Sequence, residues 1–106
     1  MIGIAQIRSA AARIARQFHP ERVVLFGSHA QGRATDDSDV DLLVIMPFEG
    51  RSVDKAVEVR LKAEASFPMD ILVRTPGEVR RRLAMGDTFM EDVLTNGKVL
   101  YEADHN

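Results

Sequence analysis

Residues 40–46 read Val-Asp-Leu-Leu-Val-Ile-Met, apolar at every position except the second. A strand with one wet face alternates apolar and polar residues, whereas a run without alternation needs cover on both faces. The stretch therefore predicts a central strand that carries a charge near its start, lies between covering layers at its far end, and is closed by Pro47 and Gly50. The rest of the chain must supply neighbouring strands and the helices that cover them.

Ile4, Ile7, Ala11, Ile14 and Phe18 recur at steps of three and four, with Arg8, Arg13 and Arg16 off the stripe. That spacing predicts an amphipathic helix ending near His19, ahead of Pro20. Val23-Val24-Leu25-Phe26 predicts a buried strand stopping at Gly27, and residues 27–37, with two glycines, predict a turn into a short irregular or helical stretch. Val53, Val57, Leu61 and Ala65, at steps of four, predict a helix over residues 51–67 with those four toward the core and Pro68 as its stop. Residues 69–73 resume the strand pattern. Thr75-Pro76-Gly77-Glu78 spells a capping box with proline at the first helical position, so another helix starts there. Gly86 interrupts the pattern, Phe89, Met90, Val93 and Leu94 restore it, and Asn96-Gly97 predicts a left-handed stop. Val99–Tyr101 predicts a last strand, and residues 103–106 a frayed tail.

This order predicts an α+β fold, a small mixed sheet of about four strands with helices packed on it. A length of 106 residues suits a single domain, residues 1–106, with one core. The absence of cysteine removes disulfide staples and thiolate metal sites and predicts a cytoplasmic protein. A net charge of −2 excludes the strong positive field of a general nucleic-acid binder. No apolar run approaches the ~20 residues that span a bilayer, so no membrane association is expected.

The chemistry lies in the acids. Asp39 and Asp41 stand two apart where a strand begins, so both side chains face one way with Cα atoms roughly 6.5 Å apart. Two like charges ~4 Å apart repel by about 4 kcal/mol at an effective dielectric of 20, and a cation between them would relieve the conflict. Asp70 repeats the anomaly at the head of the Met69–Val73 strand. If the two strands are neighbours, three carboxylates meet, an all-oxygen set suited to Mg2+ or Mn2+ rather than zinc. Gly27 and Ser28 follow a strand eleven residues before Asp39, counted from Ser28. A glycine lets backbone amides approach a phosphate, and the serine hydroxyl adds a donor.

The stretch Leu25-Phe26-Gly27-Ser28-His29-Ala30-Gln31-Gly32-Arg33, continuing to Ser38-Asp39-Val40-Asp41-Leu42-Leu43-Val44, resembles the signature of the DNA-polymerase-β-like nucleotidyltransferase superfamily. With the closing Leu100-Tyr101-Glu102, the chain is similar to its minimal nucleotidyltransferases, commonly the antitoxins paired with HEPN-domain ribonuclease toxins. The resemblance implies that Gly27 and Ser28 hold the β- and γ-phosphates of a nucleoside triphosphate. It implies that Asp39, Asp41 and Asp70 are catalytic and bind two metal ions, Mg2+ or Mn2+, with Asp70 also receiving the acceptor's proton. The expected activity is transfer of AMP from ATP to a tyrosine of a HEPN toxin, which disables the toxin and releases pyrophosphate.

Other readings stand beside these. Arg33 is counted with the nucleotide-binding residues as a phosphate contact, with a solvated loop arginine as the alternative. His29 reads as a surface residue, Asp36 and Asp37 as turn-formers, Ser38 as the residue shaping the turn that aims Asp39, and Arg80-Arg81-Arg82 as a solvated face. Two further functions compete: an antitoxin that masks its toxin by binding alone, and a small-molecule nucleotidyltransferase such as one acting on an aminoglycoside.

Overall fold

A computed structural model describes residues 2–104. The apolar run forms β2 (Val40–Ile45), and it lies inside a four-stranded sheet as its lack of alternation demands. In chain order the elements around it are α1 (Ile4–Phe18), β1 (Arg22–Phe26), α2 (Ser28–Gln31), then after β2, α3 (Ser52–Ala63), β3 (Met69–Arg74), α4 (Pro76–Ala84), α5 (Thr88–Asn96) and β4 (Lys98–Glu102). The strands lie in the order β3-β2-β1-β4. β1 runs antiparallel to β2 and to β4, and β2 runs parallel to β3. The expected α+β architecture with a small mixed sheet is what the chain adopts.

Strand periodicity divides the core in two. Val40, Leu42, Val44 and Met46 share one face with Val23, Leu25, Ile71 and Val73, and α1 and α3 cover it through Ile7, Ala11, Ile14, Val59 and Ala63. Leu43, Ile45 and Val24 share the other face, covered by Val79 of α4 and by Met90 and Val93 of α5. The two covering helices of the first face are also tied by polar contacts. Arg13 donates from Nε to the Ala63 carbonyl at the end of α3, and the Lys55 ammonium sits 5.3 Å from the Phe18 ring centroid.

Three local expectations change. Helix α3 stops at Ala63, where Glu64 turns left-handed at φ 50°, four residues before Phe67. Its buried residues are Val59 and Ala63, with Ala56 packed beside them, while Val53, Val57 and Leu61 point outward at 55%, 44% and 69% exposure. Small residues let the helix axis approach the sheet closely, so the face of lesser side-chain volume is the one that docks. At Thr75 only half of the capping box forms. The hydroxyl accepts from the Glu78 N–H at 3.1 Å, but the Glu78 carboxylate turns instead to Arg81 and Arg82. Their hydrogen bonds hold its pKa below the ordinary carboxylate value. Gly97 is extended (φ −74°, ψ 169°) rather than left-handed.

Space, not conformation, explains that glycine. A Cβ on Gly97 would run into the Val93 carbonyl oxygen of α5 and would lie 2.7 Å from Val24 Cγ1 and 2.8 Å from the Leu25 carbonyl oxygen. Gly97→Ala is therefore expected to cost about 1–3 kcal/mol through overpacking where α5 meets β1. A shift of the urea unfolding midpoint checks this, and an unshifted midpoint would mean that the seam yields. Of the expected tail, residue 103 is tied down, because the Ala103 N–H donates to the Glu21 carbonyl at 2.9 Å. Residues 105 and 106 of that expectation lie outside the described residues. Among the described residues no helix is long and apolar enough to cross a membrane.

Candidate active site

Register brings the acids together. Asp41 of β2 and Asp70 of β3 are paired across the parallel ladder, on strands separated by roughly 4.8 Å. Both side chains project on the face of Leu43 and Leu72, beyond the end of the α4 and α5 core. The alignment is fixed just upstream, where the Val40 N–H donates to the Pro68 carbonyl at 3.1 Å. Asp41 is half-buried and Asp70 exposed, while Asp39 precedes β2, is exposed, and lines a cleft with Arg60 and Leu61 of α3, so the two-residue spacing does not by itself put it on the side of Asp41.

β1 delivers the glycine to the same spot. Phe26 is the cross-strand partner of Asp41, and the chain then turns at Gly27 with φ 74° and ψ −153°, a region that only glycine occupies without strain. A Cβ there would fall on the Asp41 carboxylate. Gly27 is thus required twice, by its dihedral angles and by the acid beside it. The Ala30 and Gln31 amides both donate to the Gly27 carbonyl at 3.1 Å, so the Ser28 and His29 amides precede the first internal bonds of α2.

The loop ahead of Asp39 is built by local bonds. Ser38 Oγ accepts from the Thr35 N–H at 2.9 Å while the Ser38 N–H donates to the Thr35 carbonyl at 3.1 Å, which makes Ser38 the turn-shaping residue the sequence suggested. His29 Nε2 donates to the Ser38 carbonyl at 3.3 Å and ties α2 to this loop. His29 is half-buried rather than a free surface residue, and no local sequence signal reveals a contact that spans nine positions.

The electrostatics record the crowding. Burial raises the Asp41 pKa, Asp70 and then Asp39 raise it further by repulsion, and His29 opposes them. Asp41 and Asp70 are adjacent, and Asp39 is within electrostatic reach of Asp41. Among the described residues no three His, Asp or Glu side chains close tightly enough to enclose a metal ion by themselves. The donor chemistry nonetheless fits a hard divalent cation, since every candidate ligand is a carboxylate oxygen and a cation would relieve the repulsion on Asp41. Magnesium also draws much of its shell from water and substrate phosphates.

Arg33 is not brought to the acids. It is exposed, and its guanidinium is held by Gln31 Oε1 at the C-terminal end of α2, with 2.9 Å from Nε. One further feature borders the site. Phe89, half exposed, meets Phe26 edge-on at a centroid distance of 5.7 Å. Phe26 is in turn the cross-strand partner of Asp41, so the Phe89 ring is one side chain removed from that acid. In the sequence Phe89 looks like one more apolar position of a helix.

Known proteins share this fold. The profile of the family described as polymerase beta, nucleotidyltransferase matches residues 10–106. A Methanocaldococcus jannaschii protein named "putative protein adenylyltransferase" is 27% identical over 81 residues, covering 76% of this chain and 78% of its own. A second protein of that name from the same organism is 34% identical over 53 residues, 50% of this chain and 54% of its own. A solved Sulfolobus solfataricus structure, described as a putative nucleotidyltransferase, superposes with a TM-score of 0.64 at 22% identity, over 93% of this chain and 79% of that one, and supports the fold. A match running from within α1 to the end of the chain, on a sheet that sets two acids beside a strand-ending glycine, leads to one assignment: the chain belongs to the polymerase beta nucleotidyltransferase family, and it is a nucleotidyltransferase.

Proposed function

We propose that the chain is a single-domain, cytoplasmic protein adenylyltransferase that transfers AMP from ATP to a tyrosine hydroxyl of a HEPN-domain ribonuclease toxin and thereby acts as its antitoxin. The observation that carries the reading is the pairing of Asp41 with Asp70 against Gly27. The names of the two Methanocaldococcus relatives support a protein as acceptor. The toxin and its tyrosine come from the resemblance to minimal nucleotidyltransferases.

Asp39, Asp41 and Asp70 are the residues that would hold divalent cations, Mg2+ or Mn2+, which supply charge to stabilise an in-line displacement at the α-phosphorus. Gly27 and Ser28 offer amides and a hydroxyl to the β- and γ-phosphate oxygens, and the bare Cα of Gly27 admits them next to Asp41. Arg33 can swing from Gln31 to the outer phosphates. Asp70, exposed at the head of β3, accepts the proton of the attacking hydroxyl. The new bond joins the tyrosine oxygen to the α-phosphorus, the bond between the α- and β-phosphates breaks, and pyrophosphate leaves.

ATP labelled at the α- or the γ-phosphate separates this reaction from phosphorylation. With Mg2+ and the cognate toxin, the α-label is expected on a toxin tyrosine, the γ-label on none, and the toxin gains the mass of one or more adenylyl groups. Absence of α-label at saturating ATP, with the toxin still neutralised, would contradict the proposal and favour masking by binding.

A further inference from the structure

Asp39 lies outside β2, so something other than the sheet ladder must fix it. Its Cα is shared by two planar peptide units, the one joining Ser38 to Asp39 and the one joining Asp39 to Val40. Each unit is held by a hydrogen bond from a different part of the chain. Downstream, the Val40 N–H donates to the carbonyl of Pro68, two residues ahead of Asp70, at 3.1 Å. Upstream, His29 Nε2 donates to the Ser38 carbonyl at 3.3 Å. The first bond extends the pairing of β2 with β3, whereas the second depends on one side chain.

That side chain is rigidly tied to the glycine-serine turn. His29 is the second residue of α2, which is closed by the Ala30 and Gln31 N–H groups on the Gly27 carbonyl at 3.1 Å and by the Arg33 N–H on the Ser28 carbonyl at 2.9 Å. The His29 ring is half-buried. Residues 32–39 form no helix or strand, and they start at Gly32 with φ 71°, where the backbone leaves α2. The bonds between Thr35 and Ser38 shape this loop from within, and the His29 bond fastens its far end back onto α2.

We propose that His29 is a positioning residue for nucleotidyl transfer: by holding the Ser38–Asp39 peptide unit it aligns the Asp39 carboxylate with the turn at Gly27 and Ser28. The inference rests on the functional reading above, in which Asp39 ligates a divalent cation and that turn receives the triphosphate. With both peptide units held, side-chain rotation is the freedom left to Asp39, and the carboxylate meets the cation without a search by the backbone. His29 also lies within electrostatic reach of Asp41. A hydrogen bond and a charge place different demands on position 29, since glutamine offers an N–H to a carbonyl but carries no charge.

Calorimetric titration of Mn2+ in the presence of a non-hydrolysable ATP analogue tests this with wild type, His29→Ala, His29→Gln, Asp39→Ala and the double variant of Asp39→Ala with His29→Ala. His29→Ala is expected to bind Mn2+ about three- to tenfold more weakly than wild type, the scale of one lost hydrogen bond. His29→Gln should recover most of that affinity. In the Asp39→Ala background, His29→Ala should weaken binding no further, because the residue it acts through is gone. Melting curves report folding, and His29→Leu, which fills the space without a donor, replaces His29→Ala if the latter unfolds. A histidine that only supports the fold would lower the melting temperature and leave Mn2+ affinity unchanged. Wild-type affinity in His29→Ala, no recovery in His29→Gln, or an equal loss with and without the Asp39 carboxylate would each overturn the proposal and leave the functional reading standing. No saturable Mn2+ binding by wild type would overturn both.

Discussion

Asp41→Asn is expected to abolish nucleotidyl transfer while making the metal-free protein more stable. The two effects have one cause. Asp41 is held among like charges, half-buried, opposite Asp70 and within reach of Asp39, and its pKa is raised above the ordinary value of 3.8, first by burial and then by those neighbours. The unfolded chain carries the charge without that cost. The penalty therefore develops as pH rises from 3.8 through the raised value, and it is complete at neutral pH. Below 3.8, where the carboxyl is protonated in both states, it disappears. Asparagine keeps the shape and removes the charge, so the melting temperature should rise at pH 7 and converge with wild type in acid. Catalysis responds in the opposite direction. Loss of a carboxylate that holds the cation should reduce the rate by about a thousandfold or more, equivalent to roughly 4 kcal/mol of barrier. Initial rates with labelled ATP and melting curves at pH 7 and pH 3.5 measure both. A variant that loses stability along with activity would indicate a structural acid, not a functional one.

Gly27→Ala is the second large effect, and its cause is steric. The position holds φ 74° with ψ −153°, where a side chain costs about 1–3 kcal/mol. The added methyl would also meet the Asp41 carboxylate directly. Relief requires either moving Asp41 or opening the turn, and both displace the groups that receive the triphosphate, so transfer should fall by about a hundredfold or more on top of the stability loss. The two contributions can be separated. In an Asp41→Ala background the collision partner is gone, and Gly27→Ala should then cost only its backbone term, a coupling that a double-mutant cycle in urea reads directly. Equal costs in both backgrounds would show that the contact with Asp41 carries no weight.

Much of this was legible because the relevant signals are local. The run at 40–46, apolar but for Asp41, reads as a covered strand from its own residues, whereas the placement of Asp39, one residue ahead of β2, is not set by strand periodicity. Thr75 with Pro76 marks a helix start through bonds that span three residues. The side of α3 that docks was not legible, because Val53, Val57 and Leu61 form as regular a stripe as Ala56, Val59 and Ala63. The choice depends on how closely the helix sits on the sheet, which is a property of the assembled layers. Gly97 looked like a left-handed stop because Asn-Gly usually is one, whereas its real constraint is space, taken up by the Val93 carbonyl of its own helix and by Val24 and Leu25 from a strand more than seventy positions away. The pairing of Asp70 with Asp41 was conditional on strand order, and the register of β2 and β3 sets them side by side. His29 and Phe89 gained their places through contacts with Ser38 and Phe26 that no spacing rule encodes.

On the proposed function, Asp39, Asp41 and Asp70 jointly bind divalent cation against a triphosphate held at Gly27 and Ser28. Calorimetric titration of Mn2+ into the protein with a non-hydrolysable ATP analogue measures this binding, with wild type compared to Asp39→Asn, Asp41→Asn and Asp70→Asn. Wild type is expected to bind saturably, and each of the three variants to lose at least tenfold in affinity. Asp70→Asn binding the ion and the analogue as tightly as wild type would contradict it.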